Sequence, residues 1–540
     1  MDRWFDHDKA ATVMVVLLFL MFAAFYIHHT SVVVGGERYY TLFDDEMISM
    51  RYARNMVEGH GLVMNPGERV EGFTNPLWVF YMMLVHLLPI SATKISLVIQ
   101  VTGALILAGV FVLVRLLARE IAPNRPAVAS AAVVLTAAYF PLVNWSLLGC
   151  EVSLAALIAV GVSLLGIRSM RKDHLIPWLY FLTGASTLVR MDMAVIHLAI
   201  LSGLALADKP RRNQHLAWGL GFLALFLGAQ TIARVLYYGD ILPNTYYLKM
   251  TGYPVLLRIT RGLFVFWTFI WDFNIVLFIL PAVVFFAAPD RVRGICACVF
   301  GAQCLYSIYV GGDAWEFYGG ANRYIAPVMP LFFVLIADSF EHIKELAVGI
   351  LAGVRNRESP LTAPLKRHLV ALLVVFTLVH INLTWRLSNL VWYPHLVGPH
   401  MQNETSYILH MTETVEDLTT PNARVAVTWA GMLPYFSGRY IVDVLGKTDN
   451  HIARLPMRTA TGVQRFSNFY PGHLKYDYSY SFGEQKPDII VQLWRNTEEA
   501  ESYLKNYIKV VVPGGTVFLR AGSGAVRWEK ISGPRTPESQ

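Results

Sequence analysis

Long apolar runs separated by short polar stretches dominate the first 390 positions. The candidate spans are 11–26, 76–90, 95–114, 127–147, 152–167, 175–207, 215–236, 263–288, 294–311, 325–340 and 368–389. Runs of about 16 to 25 apolar residues are long enough to cross the hydrocarbon core of a bilayer as helices. The pattern therefore predicts about eleven crossings. The 175–207 run is longer and reads either as one strongly tilted helix or as two short passes. No small-residue cleavage site follows the first run, which predicts a retained anchor rather than a removed signal peptide.

From Trp392 the pattern changes. Val and Ile alternate with polar residues in ARVAVTW, YIVDVLG, PDIIVQLW and IKVVVPGGTVFLR, which Gly, Pro and Asn bound. That alternation predicts short strands, with SYILHMTETVEDL and EEAESYLKNYI as helices beside them. The expected architecture is a mainly α, polytopic membrane protein. A C-terminal α/β domain over 391–532 follows the spans, large enough for a core of its own, and a disordered tail ends the chain at 533–540.

Composition sharpens this picture. Hydrophobic residues make up 55% of the 540 positions and charged residues 15%, far beyond what one soluble core requires. The net charge of +7 comes mostly from Arg and Lys in loops, at Arg115/Arg119/Arg125, Arg168/Arg171/Lys172, Lys209/Arg211/Arg212, Arg291/Arg293 and Arg355/Arg357/Lys366/Arg367. Basic loops stay on the cytoplasmic side, so this charge reports topology before it reports an anionic partner. No basic–aromatic array points to nucleic acid. If 76–90 spans fully and 175–207 spans once, the clusters at 115–125 and 168–172 fall outside. If 76–90 lies at the interface and 175–207 crosses twice, every cluster falls inside. Both schemes place 237–261, 312–324 and everything after about 390 on one outer side, with the loop at 31–75. The four cysteines, Cys150, Cys296, Cys298 and Cys304, lie in or beside apolar spans and read as packing residues.

Candidate chemistry concentrates in one outer loop. Leu42 to Trp78 reads LFDDEMISMRYARNMVEGHGLVMNPGERVEGFTNPLW, with ten ionisable groups between Asp44 and Glu71. Adjacent carboxylates at a membrane surface suit a general base, a metal ligand or support for a cationic transition state. They equally suit a helix N-terminus ahead of MISMRYARNM. Asp44 and Asp45 point in different directions, so at most one serves as base at a single reaction centre. Two other outer loops carry isolated cations: Lys249 in YYGDILPNTYYLKMTGY, and Arg323 in GGDAWEFYGGANRY. Each reads either as a snorkelling anchor or as a phosphate ligand, and His60 could serve the same end. Arg190 and Asp192 lie inside an apolar run, where ionisable groups are functional candidates by default; a mutual salt bridge is the alternative. The stretch FSNFYPGHLKYDYSYSF, Phe466 to Phe482, offers Tyr476, Tyr478 and Tyr480 for stacking on an acceptor sugar, or for packing. Two carboxylates beside a phosphate suit a divalent cation, but no closed set of metal ligands is visible.

Taken together, these segments resemble the GT-C superfamily of membrane glycosyltransferases. Within it, FDDEMISMRYARN…GHGLVMNPGERVEGFTNPLW resembles the first loop of the terminal β-arabinofuranosyltransferases of mycobacterial and corynebacterial envelopes. WAGMLPYFSGRYIVDVLGKTDNHIA and PGHLKYDY are similar to the C-terminal part of that wider family. The resemblance implies a catalytic transmembrane domain over 1–390 and an extracytoplasmic C-terminal domain. It also implies a polyprenyl monophosphate sugar as donor, decaprenyl-phosphate arabinofuranose, and a glycan acceptor in cell-envelope assembly. Asp44 or Asp45 would be the base, with Lys249, Arg323, His60 and Arg190 about the donor phosphate. The expected location is the bacterial plasma membrane, with the active site on its outer side. Relatives with similar loops imply an alternative, transfer of another sugar to lipopolysaccharide or pilin. A lipid or sugar transporter is the rival from another class; it would place its polar residues at the membrane midplane instead.

Overall fold

A computed structural model of the chain describes residues 2–172, 174–314, 322–354, 362–382, 400–458 and 469–531. Arg355 and Arg357 of the last basic cluster, most of the polar stretch between Asp313 and Asn322, Phe466 at the head of the aromatic stretch and the 533–540 tail lie outside the described residues.

Six helices in the described residues are long and apolar enough to cross a membrane, and two bent pairs raise the number to eight. In chain order, α1 (Asp2–Thr30) leads to a short hairpin, β1 (Val32–Val34) with β2 (Glu37–Tyr39). The amphipathic α2 (Asp44–Val57) and α3 (Pro76–His86) follow, then α4 (Ala92–Ile121). The 127–147 run is two helices, α5 (Pro126–Ala137) and α6 (Phe140–Leu147), bent by 53°. After α7 (Val152–Arg171) the 175–207 run divides into α8 (Pro177–Ala185), a tight turn and α9 (Met193–Ala207). Next come α10 (Arg212–Tyr238), α11 (Asn244–Met250), α12 (Val255–Phe273), α13 (Ile275–Ala287), α14 (Arg291–Val310), α15 (Met329–Val354) and α16 (Thr362–Asn382). Leu225, Ile232 and Leu236 on α10, Trp267 and Trp271 on α12 and Phe286 on α13 face outward, as a lipid-facing surface requires.

Two expected spans are corrected. The 11 residues of α3 rise only about 16 Å, half of the hydrocarbon thickness, so as a helix 76–90 falls short of a full span. The 263–288 run is broken at Asn274, whose φ of 85° ends α12 and starts α13. The basic clusters then gather at one end of the bundle. Arg119 pairs with Asp8 at 2.6 Å, Arg115 with the same carboxylate at 2.9 Å, and Arg168 and Arg171 with Glu120 at 2.8 and 2.7 Å. Arg293 reaches Asp338 at 2.7 Å and Arg125 reaches Glu345 at 2.8 Å. By the same measure α8, of 9 residues, and α9, of 15, are each shorter than the six long spans.

The opposite end carries α2 and the C-terminal sheet, of order β4-β3-β5-β7-β6. Its strands are β3 (Arg424–Val427), β4 (Tyr440–Asp443), β5 (Ile489–Ile490), β6 (Tyr507–Val512) and β7 (Gly515–Arg520). β3 pairs in parallel with β4 and β5, Val425 opposite Ile441 and Ile489, while β5, β7 and β6 pair antiparallel. Side chains alternate between faces along a strand. Val425, Val427, Ile441 and Ile489 enter one core with Met47, Tyr52 and Phe73 of the first loop. Ala426, Val442 and Ile490 face a second core with Tyr476, Tyr478 and Phe482. The sheet is thus fused to the membrane bundle through its first face. In a parallel sheet whose order reverses, the loops at the carboxyl ends of the strands form a crevice. Here the loops after β3 and β4 reach the start of α2.

Candidate active site

Three consecutive carboxylates open α2, and no side chain caps it. Negative charge favours that position because the unpaired N–H groups of a first turn point outward. Successive residues on a helix lie about 100° apart, so Asp44, Asp45 and Glu46 reach three different surroundings.

Asp44 turns to the C-terminal sheet. Its Oδ1 accepts from the Met432 N–H at 2.8 Å. A Cβ added at Gly431 would stand 1.8 Å from the Asp44 carbonyl oxygen, so only glycine permits this approach. Burial pushes the Asp44 carboxyl up to about 6, against the opposing pull of Lys447 and of the Met432 hydrogen bond.

Asp45 faces a cavity of about 360 Å³, within the range of small-molecule sites. Its carboxylate accepts from Arg323 at 3.2 Å and from Lys447. Burial alone would raise its pKa, but Lys447, then Arg323 and Lys249, hold it well below the usual carboxylate range. Arg323 is itself fixed. It forks onto Asp313 at 2.9 and 3.1 Å and lies over the rings of Trp145 and Phe43, 5.1 and 5.6 Å from their centroids. Burial would raise the Asp313 carboxyl, but Arg323 holds it low.

Glu46 points to the other wall. The Asn75 amide donates to Glu46 at 3.3 Å and to Glu151 at 3.0 Å, and Ser49 donates to Asn75 at 3.0 Å. Burial, then the Glu151 charge, pushes the Glu46 carboxyl well above its usual range. Arg190 stands beside them, 3.6 Å from Glu151 and forked onto Asp192 at 2.9 and 2.8 Å. The mutual salt bridge is therefore present, and it lines the cavity.

Lys249 also lines the cavity. Its stem passes Gly472, where φ is +78° and an added Cβ would come within 3.3 Å of the stem. Behind it His473 is buried, and burial, then Lys447, brings its imidazole down to about 3. Among the described residues no three His, Cys, Asp or Glu side chains are arranged to hold a metal ion.

The structure therefore brings together Asp45, Lys249, Arg323 and Arg190, and separates the other candidates. His60 is exposed on the turn beyond α2, more than three helical turns from Asp45, and is not among the residues that line the cavity. Tyr476 and Tyr478 are not exposed sugar platforms: they fill the second core of the sheet, and the Tyr478 hydroxyl accepts from Trp494 N at 3.0 Å. Tyr480, half-buried, donates to Asp449 at 3.0 Å and stacks on His451. Sequence reasoning missed Lys447, Glu46, Asn75 and Glu151. Glu151 had a faint signal, a lone carboxylate opening an apolar span. Lys447 had only its place in the GKTD loop after a strand.

Two solved structures overlay nearly all of the chain. ArnT from Cupriavidus metallidurans in the apo state gives a TM-score of 0.52 at 12% identity, over 98% of this chain and 99% of that one. The Archaeoglobus fulgidus oligosaccharyltransferase in the apo form gives 0.54 at 11% identity, over 96% and 75%.

The chain has the GT-C fold.

In this chain of GT-C fold a family model, described as a domain of unknown function (DUF8728), matches residues 398–531, the segment that holds the sheet and Lys447. The "Terminal beta-(1->2)-arabinofuranosyltransferase" of Mycobacterium tuberculosis is 28% identical over 220 residues, 37% of this chain. The match spans 34% of that relative's length. The overlaid structures and the apolar helices agree on a multi-pass membrane protein.

Proposed function

We propose that the chain is a membrane glycosyltransferase that moves arabinofuranose from a polyprenyl monophosphate donor to a glycan acceptor outside the bacterial plasma membrane. One observation carries the reading: Asp45 faces a cavity among Arg323, Lys249 and Lys447, at the end of the bundle away from the basic clusters. Basic clusters stay cytoplasmic, which supports an outward-facing cavity. The sugar rests on the relative from Mycobacterium tuberculosis.

Each residue then has a stated part. Arg323 and Lys249 hold the donor phosphate. Asp45 accepts the proton of the acceptor hydroxyl as that oxygen bonds to the anomeric carbon. The bond from that carbon to the phosphate oxygen breaks, its electron pair leaves with the phosphate, and the cations neutralise the charge that develops. Asp44 is a positioning residue that ties α2 to Met432. Glu46, Asn75 and Glu151 present acceptors and a donor to sugar hydroxyls.

The test is transfer by purified protein from synthetic polyprenyl-phosphate arabinofuranose to a short acceptor glycan. Asp45→Asn should slow transfer about 10²–10⁴-fold with folding intact, while Asp44→Asn retains measurable turnover. Full activity in Asp45→Asn would remove the base. Transfer of a different sugar, with none of arabinofuranose, would keep the enzyme class and overturn the donor.

A further inference from the structure

Lys447 reaches the cavity from the C-terminal sheet, and its backbone is fixed from both sides. Asp443, the last residue of β4, accepts from the N–H groups of Leu445 and Gly446 at 3.0 Å each, from Thr448 N at 2.8 Å and from the Thr448 hydroxyl at 3.1 Å. From the bundle, the Asn244 amide donates to the carbonyls of Gly446, Lys447 and Asp449 at 2.9, 3.0 and 3.2 Å. A loop held this firmly delivers one side chain to one place. That side chain is a lysine with 8% exposure, and a buried ammonium is costly unless paired. It is paired with Asp45.

Three cations, Arg323, Lys249 and Lys447, converge on Asp45, while Asp313 holds Arg323 and Asp44 also draws on Lys447. A phosphodiester carries one negative charge. When its sugar departs it becomes a monoester, with about −1.5 to −2 at neutral pH, so the demand for cations grows through the reaction. Arg323 cannot supply it by moving, because Asp313 and two aromatic rings hold its guanidinium. Lys447 can: its backbone is clamped, but its four-carbon stem has rotatable bonds and its ammonium is a point charge.

We propose that Lys447 is an exchangeable counter-ion, which leaves Asp45 for the phosphate of a polyprenyl phosphate and so frees Asp45 to take the acceptor's proton. This rests on the glycosyltransferase reading above. It makes the C-terminal domain part of the active site, and it makes donor binding precede productive acceptor binding.

The experiment uses the full chain in detergent and polyprenyl monophosphate, without sugar, as probe, with polyprenol as control. If Lys447 must leave Asp45 to reach phosphate, Asp45→Asn should bind the probe about tenfold more tightly than the wild type. The gain should vanish in the double variant Asp45→Asn/Lys447→Met. Lys447→Met alone should weaken the probe and lower kcat more than it raises the acceptor KM, and Lys447→Arg should restore probe binding. A gain of equal size with and without Lys447 overturns the exchange, as does unchanged probe affinity in Asp45→Asn. Should Lys447→Met fail to fold, the comparison of Asp45→Asn with Asp45→Asn/Lys447→Gln decides by the same measurement: without a cation at 447 the gain should vanish, and an equal gain counts against the exchange. A wild type that binds polyprenol as well as polyprenyl phosphate overturns the glycosyltransferase reading itself.

Discussion

At the residue scale, neighbouring carboxylates with identical chemistry differ because their surroundings differ. Asp45 sees cations and is held ionised; Asp44 packs half-buried against backbone, and its desolvation pushes it up to about 6. The second value has a consequence for stability. A carboxyl whose folded-state pKa lies above its unfolded 3.8 favours the folded chain fully below that value, and the benefit is lost as pH rises through about 6. Asparagine mimics the protonated form and can keep the bond from Met432. Asp44→Asn should therefore gain melting temperature over the wild type as pH climbs from about 4 to about 8. A scan of thermal unfolding in detergent across that range checks it, and a difference that shrinks with pH counts against the buried-acid account.

At the scale of elements, the start of α2 and the loop after β3 pack backbone to backbone. Gly431 makes that contact possible, since a Cβ there would overlap the Asp44 carbonyl. Gly431→Ala should push the two apart, at a cost of about 1–3 kcal/mol, and lower both melting temperature and transfer rate. Gly472→Ala combines a φ of +78° with a contact to the flexible Lys249 stem. Its effect should be smaller on stability and larger on the donor KM, which a kinetic comparison of the two variants reads directly. The aromatic stretch behaves differently from its sequence expectation. Tyr476 and Tyr478 enter a core with Ala426, Val442 and Ile490, on a face of the sheet that no bundle helix covers among the described residues. Tyr478→Ala should thus destabilise the domain by about 3–5 kcal/mol, with equal loss on long and short acceptors.

At the scale of the molecule, ion pairs tie the basic clusters to one end, and the cavity lies at the other. Cysteines placed at the exposed positions His60 and Glu498 should be labelled from outside in spheroplasts. Cysteines at Lys172 and Lys209, exposed at the basic end, should be labelled only after permeabilisation. Labelling of position 209 from outside would invert the molecule and place the cavity in the cytoplasm.

The sequence by itself determined that the chain is a helical membrane protein with a sheet near its end, because apolar length and period-2 alternation are local properties of the chain. It also located the acidic loop and the isolated cations Lys249 and Arg323, because charge beside an apolar run is conspicuous. It could not settle 76–90 or 175–207: an apolar residue reads the same in a crossing, a half-crossing or an interfacial helix, and only the helix lengths and breaks decide. Nor could it tell Asp44 from Asp45, since that depends on which way the first turn of α2 faces. Lys447 lies 402 residues from the carboxylate it pairs with. No local pattern records such a distance; the parallel strands that bring the loop after β4 to α2 create the contact, and with it the charge balance of the cavity.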